Sequence, residues 1–365
     1  MKKTALYLII CMCLILTSAH AGLAQAQAPI PEEQTNPHFP QEFLEDYEEP
    51  WLRYQKDAPK QEREFIPPTE ESLKRTQEQV QAFDCGTVTD VPRIECEALV
   101  ALYESTNGAG WTNNTNWLLT NTVGNWNGVV VSASHVAVLN LAYNQLTGTI
   151  PSELIQLSNL TVLDLHYNQL SGTIPSELGQ LSKFEFLFLC DNRLTGTIPS
   201  ELGQLSNLAG LYLHNNHLTG MIPKELGNLT NLLTLHLGSN HLTGTIPKEL
   251  GNLTRVRMLN LHHNQLWGSM PSEIGNLTKL LHFDISHNYI SGDVPASFAN
   301  LVNLCVEGDL NAPCDGFAKT DLGYNLLNVP QPNPPSAFMY EKDPDWDKTQ
   351  SDRGFYKYMP IIATK

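Results

Sequence analysis

Apolar positions recur every 24 residues between Val136 and Asn303. The row LTVLDLHYNQLSGTIPSELGQLSK, which starts at Leu160, has the form LxxLxLxxNxLxGxIPxxLGxLxx. Seven such rows align without an insertion, which chance does not produce. A repeat of this length indicates a solenoid, because one repeat cannot bury its apolar face alone and stacked neighbours supply the core.

Each column of the repeat has a physical role. Leu163 and Leu165 are predicted to point inward from a short strand, and Leu170 from the bend after it. The glycine column that starts at Gly148 permits a bend, and the proline column that starts at Pro151 stops the strand. The strands then lie parallel, about 4.8 Å apart, in a curved sheet with one concave face. The asparagine column is predicted to form a hydrogen-bonded ladder between coils. Its members are Asn144, Asn168, Asn192, Asn216, Asn240, Asn264 and Asn288.

The GxIP element and the LxxLxLxxN segment resemble the plant-type leucine-rich repeat, over about Val136 to Asn303. That family includes the ectodomains of plant receptor kinases and the polygalacturonase-inhibiting proteins. The resemblance implies an α/β solenoid, a right-handed superhelix with a curved parallel β-sheet on its concave face. It also implies binding of proteins, peptides or glycans on that face. No kinase segment is attached in this sequence.

Side chains that alternate with the core leucines project from the concave side of the sheet. Exposed aromatic side chains are costly unless they contact a ligand, and aromatic residues dominate binding hot spots. Trp267 fills a column otherwise held by threonine or serine, where it either packs on a neighbour or contacts a ligand at the rim. We predict a ligand-binding surface. Its residues are Tyr143, Tyr167, Phe186, Phe188, Tyr212, His214, His236, His262, His263 and Trp267.

Nine of the 12 histidines fall within the repeats. The register predicts that His236 neighbours His214 and His262, and that His263 lies beside His287. Such neighbours could form a metal site or a pH-sensitive surface. We predict polar surface positions, with no metal site and no cofactor, and keep metal- or pH-responsive binding as an alternative. Cys190 lies among the aromatic residues, where we expect a small, partly exposed side chain; a reactive or intermolecular thiol is the alternative.

The regions outside the repeats differ in composition. Lys2 and Lys3, an apolar run from Ala5 to Leu16 and small residues up to Ala28 predict a secretory signal peptide, of a bacterial appearance. The next stretch carries 13 acidic and 6 basic residues, which predicts an acidic, Pro-rich and mostly disordered linker. Residues 67–83 can form a short helix within it. The predicted organisation is 1–28 signal peptide, 29–82 linker, 83–135 N-terminal cap, 136–303 repeats, 304–330 C-terminal cap and 331–365 irregular Pro-rich tail.

Both ends of a solenoid need a cap. An apolar helix face followed by Trp111, Trp117 and Trp126 is predicted to cover the first repeat. The segment that holds Trp126 resembles the WxGV element of the family's N-terminal cap, without the cysteines that often flank it. An exported protein permits disulfides, for which the close pairs are the natural candidates. These pairs are Cys85 with Cys96 and Cys305 with Cys314.

The chain of 365 residues has a formal charge of -16, which argues against nucleic acid as a partner. Motifs of metalloproteases, serine hydrolases and nucleotide-binding loops are missing, so we predict no enzymatic activity. We expect a secreted or cell-surface monomer without a transmembrane segment. Its predicted function is recognition of a protein or peptide on the concave face, with a carbohydrate as the alternative ligand.

Overall fold

The computed structural model describes residues 67–304, 320–323 and 325–327. The predicted signal peptide, most of the acidic linker, Cys305, Cys314 and the Pro-rich tail lie outside the described residues.

Two α-helices precede fourteen short strands in the described part of the chain. The helices are α1 Glu70–Ala82 and α2 Arg93–Ser105. The strands are β1 Val129–Ser132, β2 His135–Asn140, β3 Thr147–Thr149, β4 Val162–Asp164, β5 Gln169–Ser171, β6 Phe186–Phe188, β7 Gly210–Tyr212, β8 Thr234–His236, β9 Thr243–Gly244, β10 Met258–Asn260, β11 Gln265–Gly268, β12 His282–Asp284, β13 Tyr289–Gly292 and β14 Leu326–Leu327.

The main sheet has eight strands in the order β1-β2-β4-β6-β7-β8-β10-β12. Strand β1 is antiparallel to β2, and the seven repeat strands pair in parallel. Partners across each parallel pair are 24 residues apart, as in Leu163 with Leu187 and Leu187 with Leu211. The parallel solenoid predicted from the repeat is therefore confirmed, and each coil contributes one strand to this sheet.

The opposite edge of each coil is a short 3₁₀ helix that follows the repeated proline. The proline is extended and fixes the first residue of the turn, since its ring holds φ near -65°. These helices pack on one another in sequence order. They are Ser152–Gln156, Ser176–Gln180, Ser200–Gln204, Lys224–Asn228, Lys248–Asn252, Ser272–Asn276 and Ala296–Asn300.

The repeated asparagines bridge consecutive coils. Asn168 Oδ1 accepts hydrogen bonds from the backbone N–H groups of Asn144 and Leu146, at 3.0 and 2.9 Å. Its Nδ2 donates to the carbonyls of Leu141 and Leu165, both at 2.9 Å. The same pattern recurs along the column, so each buried carboxamide satisfies backbone groups that the strands leave unpaired.

The N-terminal cap begins before the predicted boundary. Helix α1 is the helix expected over 67–83, and the Thr69 side chain caps it by accepting a bond from the Ser72 N–H. The Tyr103 hydroxyl on α2 donates a hydrogen bond to Gln79 Oε1 on α1 at 2.7 Å, which connects the two helices. Trp117 and Trp126 are buried against this pair, and a disulfide joins Cys85 to Cys96. Among the described residues, none of the helices has the length and apolar composition that crossing a membrane requires.

At the other end, residues 320–323 and 325–327 belong to a shortened coil. Asp321 bridges to Asp284 in parallel, and Leu322 is buried. Asn325 Oδ1 accepts from the Ile290 N–H at 3.0 Å, and its Nδ2 donates to the Ile285 carbonyl at 2.9 Å. The asparagine ladder thus continues one step past the seventh repeat.

Candidate binding surface

The main sheet has one face on the leucine core and one face turned away from it, which we call the concave face. The alternation of strand side chains puts Leu187 in the core and its neighbours Phe186 and Phe188 on the concave face. These phenylalanines and Tyr212 lie outside the contiguous apolar core that fills the coils. Aromatic side chains are therefore present on both sides of the sheet.

Phe186, Phe188 and Tyr212 form one stack on β6 and β7. Ring centroids lie 5.9 Å apart for the two phenylalanines and 4.7 Å apart for Phe188 and Tyr212, with nearly parallel planes. A Cβ at Gly210 would come within 2.8 Å of Phe186 and of Tyr212, so the missing side chain makes room for these rings. The expectation that these aromatic residues are exposed is wrong, because the three keep only 4%, 2% and 3% of their surface exposed.

A pair of tyrosines lies on the two coils that precede this stack. Tyr143 is 48% exposed, and its ring centroid is 4.5 Å from that of Tyr167, which is buried. Tyr143 also contacts the His166 ring edge-on at 4.8 Å. His166 Nδ1 lies 2.5 Å from Asp164 Oδ1. The sequence analysis did not include His166 and Asp164 in the site. Both occupy repeat columns that face the concave side, and these columns could have identified them.

Five imidazoles form a continuous series over four coils. Ring centroids are 3.8 Å apart for His214 and His236, 5.7 Å for His236 and His262, 5.1 Å for His262 and His263, and 3.9 Å for His263 and His287. These are the neighbours that the 24-residue register predicts. His214 and His236 are buried, contrary to the expectation of surface positions, while His263 is exposed.

Burial sets the charge of this series. It lowers the pKa of His214 and of His236 well below the ordinary value, and the neighbouring imidazoles lower each further. Burial, followed by the proximity of His263 and His287, lowers the pKa of His262 to about 4. These three rings are therefore uncharged at neutral pH and add no positive charge to the concave face.

Cys190 is adjacent to the aromatic stack. Its side chain is fully buried, so the expectation of a partly exposed residue is wrong. Burial raises the pKa of the thiol well above its ordinary value, and the nearby Asp191 and Asp164 raise it further. A protonated, buried thiol is a poor nucleophile, which argues against the reactive alternative.

Trp267 lies on a different sheet from the other candidates. It belongs to β11, in the four-stranded sheet β14-β13-β11-β9, and is 56% exposed. Its register partner is Tyr289, which is 43% exposed. The structure therefore separates Trp267 from the aromatic stack and gives it an exposed aromatic neighbour that the sequence analysis did not select.

Comparison with family models identifies the repeats. Residues 134–194 and 206–266 match the leucine rich repeat model, and residues 279–301 match a second model of that description. The 24-residue rows are leucine-rich repeats. Comparison with curated proteins gives no significant match to this chain.

This chain is similar to chains of two solved structures that have TM-scores above 0.5. A chain of the PEPR1–AtPEP1 crystal structure is 31% identical, with a TM-score of 0.56, over 64% of this chain and 32% of that one. A chain of the Arabidopsis receptor kinase HAESA complex with the peptide hormone IDA and the co-receptor SERK1 is 26% identical, with a TM-score of 0.51, over 72% and 39%. The present chain thus spans 32% and 39% of the length of these two chains.

A plant ice-binding protein has the same fold at 24% identity and a TM-score of 0.51, over 70% of this chain and 94% of its own. The identity is low enough that this likeness shows the fold alone. Because one fold serves different functions, the function has to be argued from the side chains on the surface.

Proposed function

We propose that this chain is a non-catalytic recognition module that acts outside the cell and binds a protein or peptide on the concave face of its leucine-rich repeats. The observation that carries the proposal is the band of rings on the concave face, from Tyr143 through the Phe188 stack to His287. The band lies on the side of the sheet opposite the leucine core.

The chemistry of the band suits a peptide. The exposed rings of the band, Tyr143 and His263, provide flat aromatic area with few rotatable bonds, which lowers the entropy lost on binding. Asp164, Asn260 and Asp284 lie in the same column, in the second, sixth and seventh repeats, and add hydrogen-bond acceptors beside the rings. The similar HAESA chain is solved with a peptide hormone, which supports the same class of ligand here.

The experiment is selection from a random-peptide display library on the immobilised full chain, followed by fluorescence polarisation with the enriched peptides. Phe188→Ala with Tyr212→Ala is expected to weaken binding about 10-fold or more, as the removal of hot-spot aromatics does. Because both rings are buried, their removal also costs stability, so Tyr143→Ala serves as a second variant with an exposed ring.

Met221→Ala is the matched control. Met221 is 68% exposed and lies away from the concave columns, so its loss removes apolar surface without touching the band. Equal affinity of every variant for the enriched peptides would remove the concave face from consideration. No enriched peptide, together with specific binding on a glycan array, would support the carbohydrate alternative.

A further inference from the structure

A second kind of chemistry is present beside the aromatic stack, where Cys190, Asp191 and His214 meet. Cys190 and His214 occupy the same column of consecutive repeats, and the strands before them pair with Phe188 opposite Tyr212. Parallel strands lie about 4.8 Å apart, so this register puts the two side chains next to each other. Asp191 follows Cys190 directly in the chain, and its carboxylate lies beside the other two side chains.

The donor atoms are close together. One ligand atom from each residue, the Cys190 Sγ, an Asp191 carboxylate oxygen and a His214 ring nitrogen, all lie within 4.8 Å of one another. His214 Nε2 is 3.7 Å from Asp191 Oδ2. In a tetrahedral site with bonds of about 2.0–2.3 Å, neighbouring donors are about 3.3–3.8 Å apart. Donor atoms that are up to 4.8 Å apart therefore need to approach one another by at most about 1–1.5 Å to close around one ion.

The fold holds two of these donors in place. Asn215 Nδ2 donates to Asp191 Oδ1 at 2.9 Å, which leaves Oδ2 as the carboxylate oxygen nearer His214. The Asp191 N–H donates to the His214 carbonyl at 3.0 Å, and this bond joins the two coils at the cluster. The His236 ring packs on His214 at 3.8 Å and limits its rotation. Such supporting contacts orient ligands in metal sites.

We propose that Cys190, Asp191 and His214 form a Zn²⁺ site. A thiolate, an imidazole and a carboxylate are each ligands that zinc takes in proteins, whereas Ca²⁺ and Mg²⁺ take oxygen. Three protein ligands leave a fourth position open for water or another donor. As the Zn–S bond forms, the Cys190 S–H bond breaks and the thiol proton passes to solvent, so one proton leaves for each ion bound.

The test uses the full chain and two metals. Zn²⁺ titration followed by calorimetry in buffers of different ionisation enthalpy is expected to give one site per chain and about one proton released. Co²⁺ as a spectroscopic substitute is expected to give the ultraviolet charge-transfer band of a cobalt–thiolate bond, which Zn²⁺ then removes. Cys190→Ser is expected to lose the band. His214→Asn and Asp191→Asn are expected to weaken Zn²⁺ binding by more than about 10-fold.

Cys305→Ser with Cys314→Ser is the matched control, because it removes two cysteines outside the cluster and should leave the band unchanged. His241→Asn, which alters a histidine outside the cluster, should keep the affinity. The midpoint of thermal unfolding of the unmodified chain gives a readout that needs no Cys190 variant. Zn²⁺ is expected to raise this midpoint, and a chelator is expected to return it to the metal-free value. Absence of saturable Zn²⁺ binding, or a cobalt–thiolate band that persists in Cys190→Ser, would overturn the proposal.

Discussion

The asparagine ladder offers a direct test of what holds consecutive coils together. Asn216 is buried in the middle of the ladder. Its Oδ1 accepts from the Leu194 N–H at 2.9 Å, and its Nδ2 donates to the Leu189 and Leu213 carbonyls at 3.0 and 3.1 Å. Asn216→Ala removes these three bonds and a fourth, from Nδ2 to the His214 carbonyl at 3.3 Å, without adding a charge or extra volume.

The expected cost follows from what is left behind. The Leu189 and Leu213 carbonyls also accept bonds from Asn192 and Asn240, at 3.2 and 3.0 Å, so each keeps one partner. The Leu194 N–H loses the bond that Asn216 supplies, and a buried, unsatisfied donor costs about 1–3 kcal/mol. We therefore expect the free energy of unfolding to fall by about 1–3 kcal/mol. Asn216→Asp keeps the acceptor but puts a buried charge near carbonyl oxygens, so it should cost more at neutral pH.

The assay is urea unfolding followed by circular dichroism, with Asn207→Ala as the control. Asn207 is an exposed asparagine whose Nδ2 donates to the Ser182 carbonyl at 2.8 Å, and its removal is expected to change stability by less than about 0.5 kcal/mol. A shift for Asn216→Ala no larger than that for Asn207→Ala would refute the reasoning, because the ladder would then contribute nothing beyond a surface bond.

Three other predictions address the cap and the titrating groups. Cys85→Ser with Cys96→Ser opens a disulfide across a sequence separation of 11 and is expected to lower the free energy of unfolding by about 2–4 kcal/mol, measured as a lower urea midpoint. Burial raises the pKa of Glu185 to about 7, so the folded chain keeps a proton that the unfolded chain releases above the ordinary value of 4.5. The free energy of unfolding should therefore fall as pH rises from about 4.5 to about 7. Glu185→Gln should remove this fall, while the control Glu249→Gln should not. Burial holds the pKa of His236 well below 6.5, so the unfolded state binds a proton first as pH drops. Stability should therefore decline below about pH 6.5, and less steeply in His236→Asn. Identical pH profiles of the thermal midpoint for His236→Asn and the unmodified chain would contradict this.

The repeat made most of the fold predictable. A fixed period of 24 residues leaves one way to stack coils in register, and the parallel pairing of Leu163, Leu187 and Leu211 follows from it. The same 24-residue register predicted that His236 lies between His214 and His262. Helix α1 was also predictable, because Thr69 and the acidic residues after it mark a helix start.

The environment of each concave side chain was not predictable in this way. The position of Phe188 in the repeat predicts that its ring faces away from the core, but it does not predict how much of the ring is exposed to solvent. That depends on neighbours such as Tyr212, and on the space that Gly210 leaves, which involve three-dimensional packing. The burial of Cys190 was missed for the same reason, and with it the approach of its Sγ to Asp191 and His214.

The sequence by itself determined the periodic part of this protein: the stacked coils, the strand register and the asparagine ladder, because each depends on a residue type recurring at a fixed interval. Only the tertiary structure decided which concave side chains stay exposed, which imidazoles are uncharged and which donors come within reach of one ion. Those properties depend on distances and solvent access between coils, which a one-dimensional pattern does not contain.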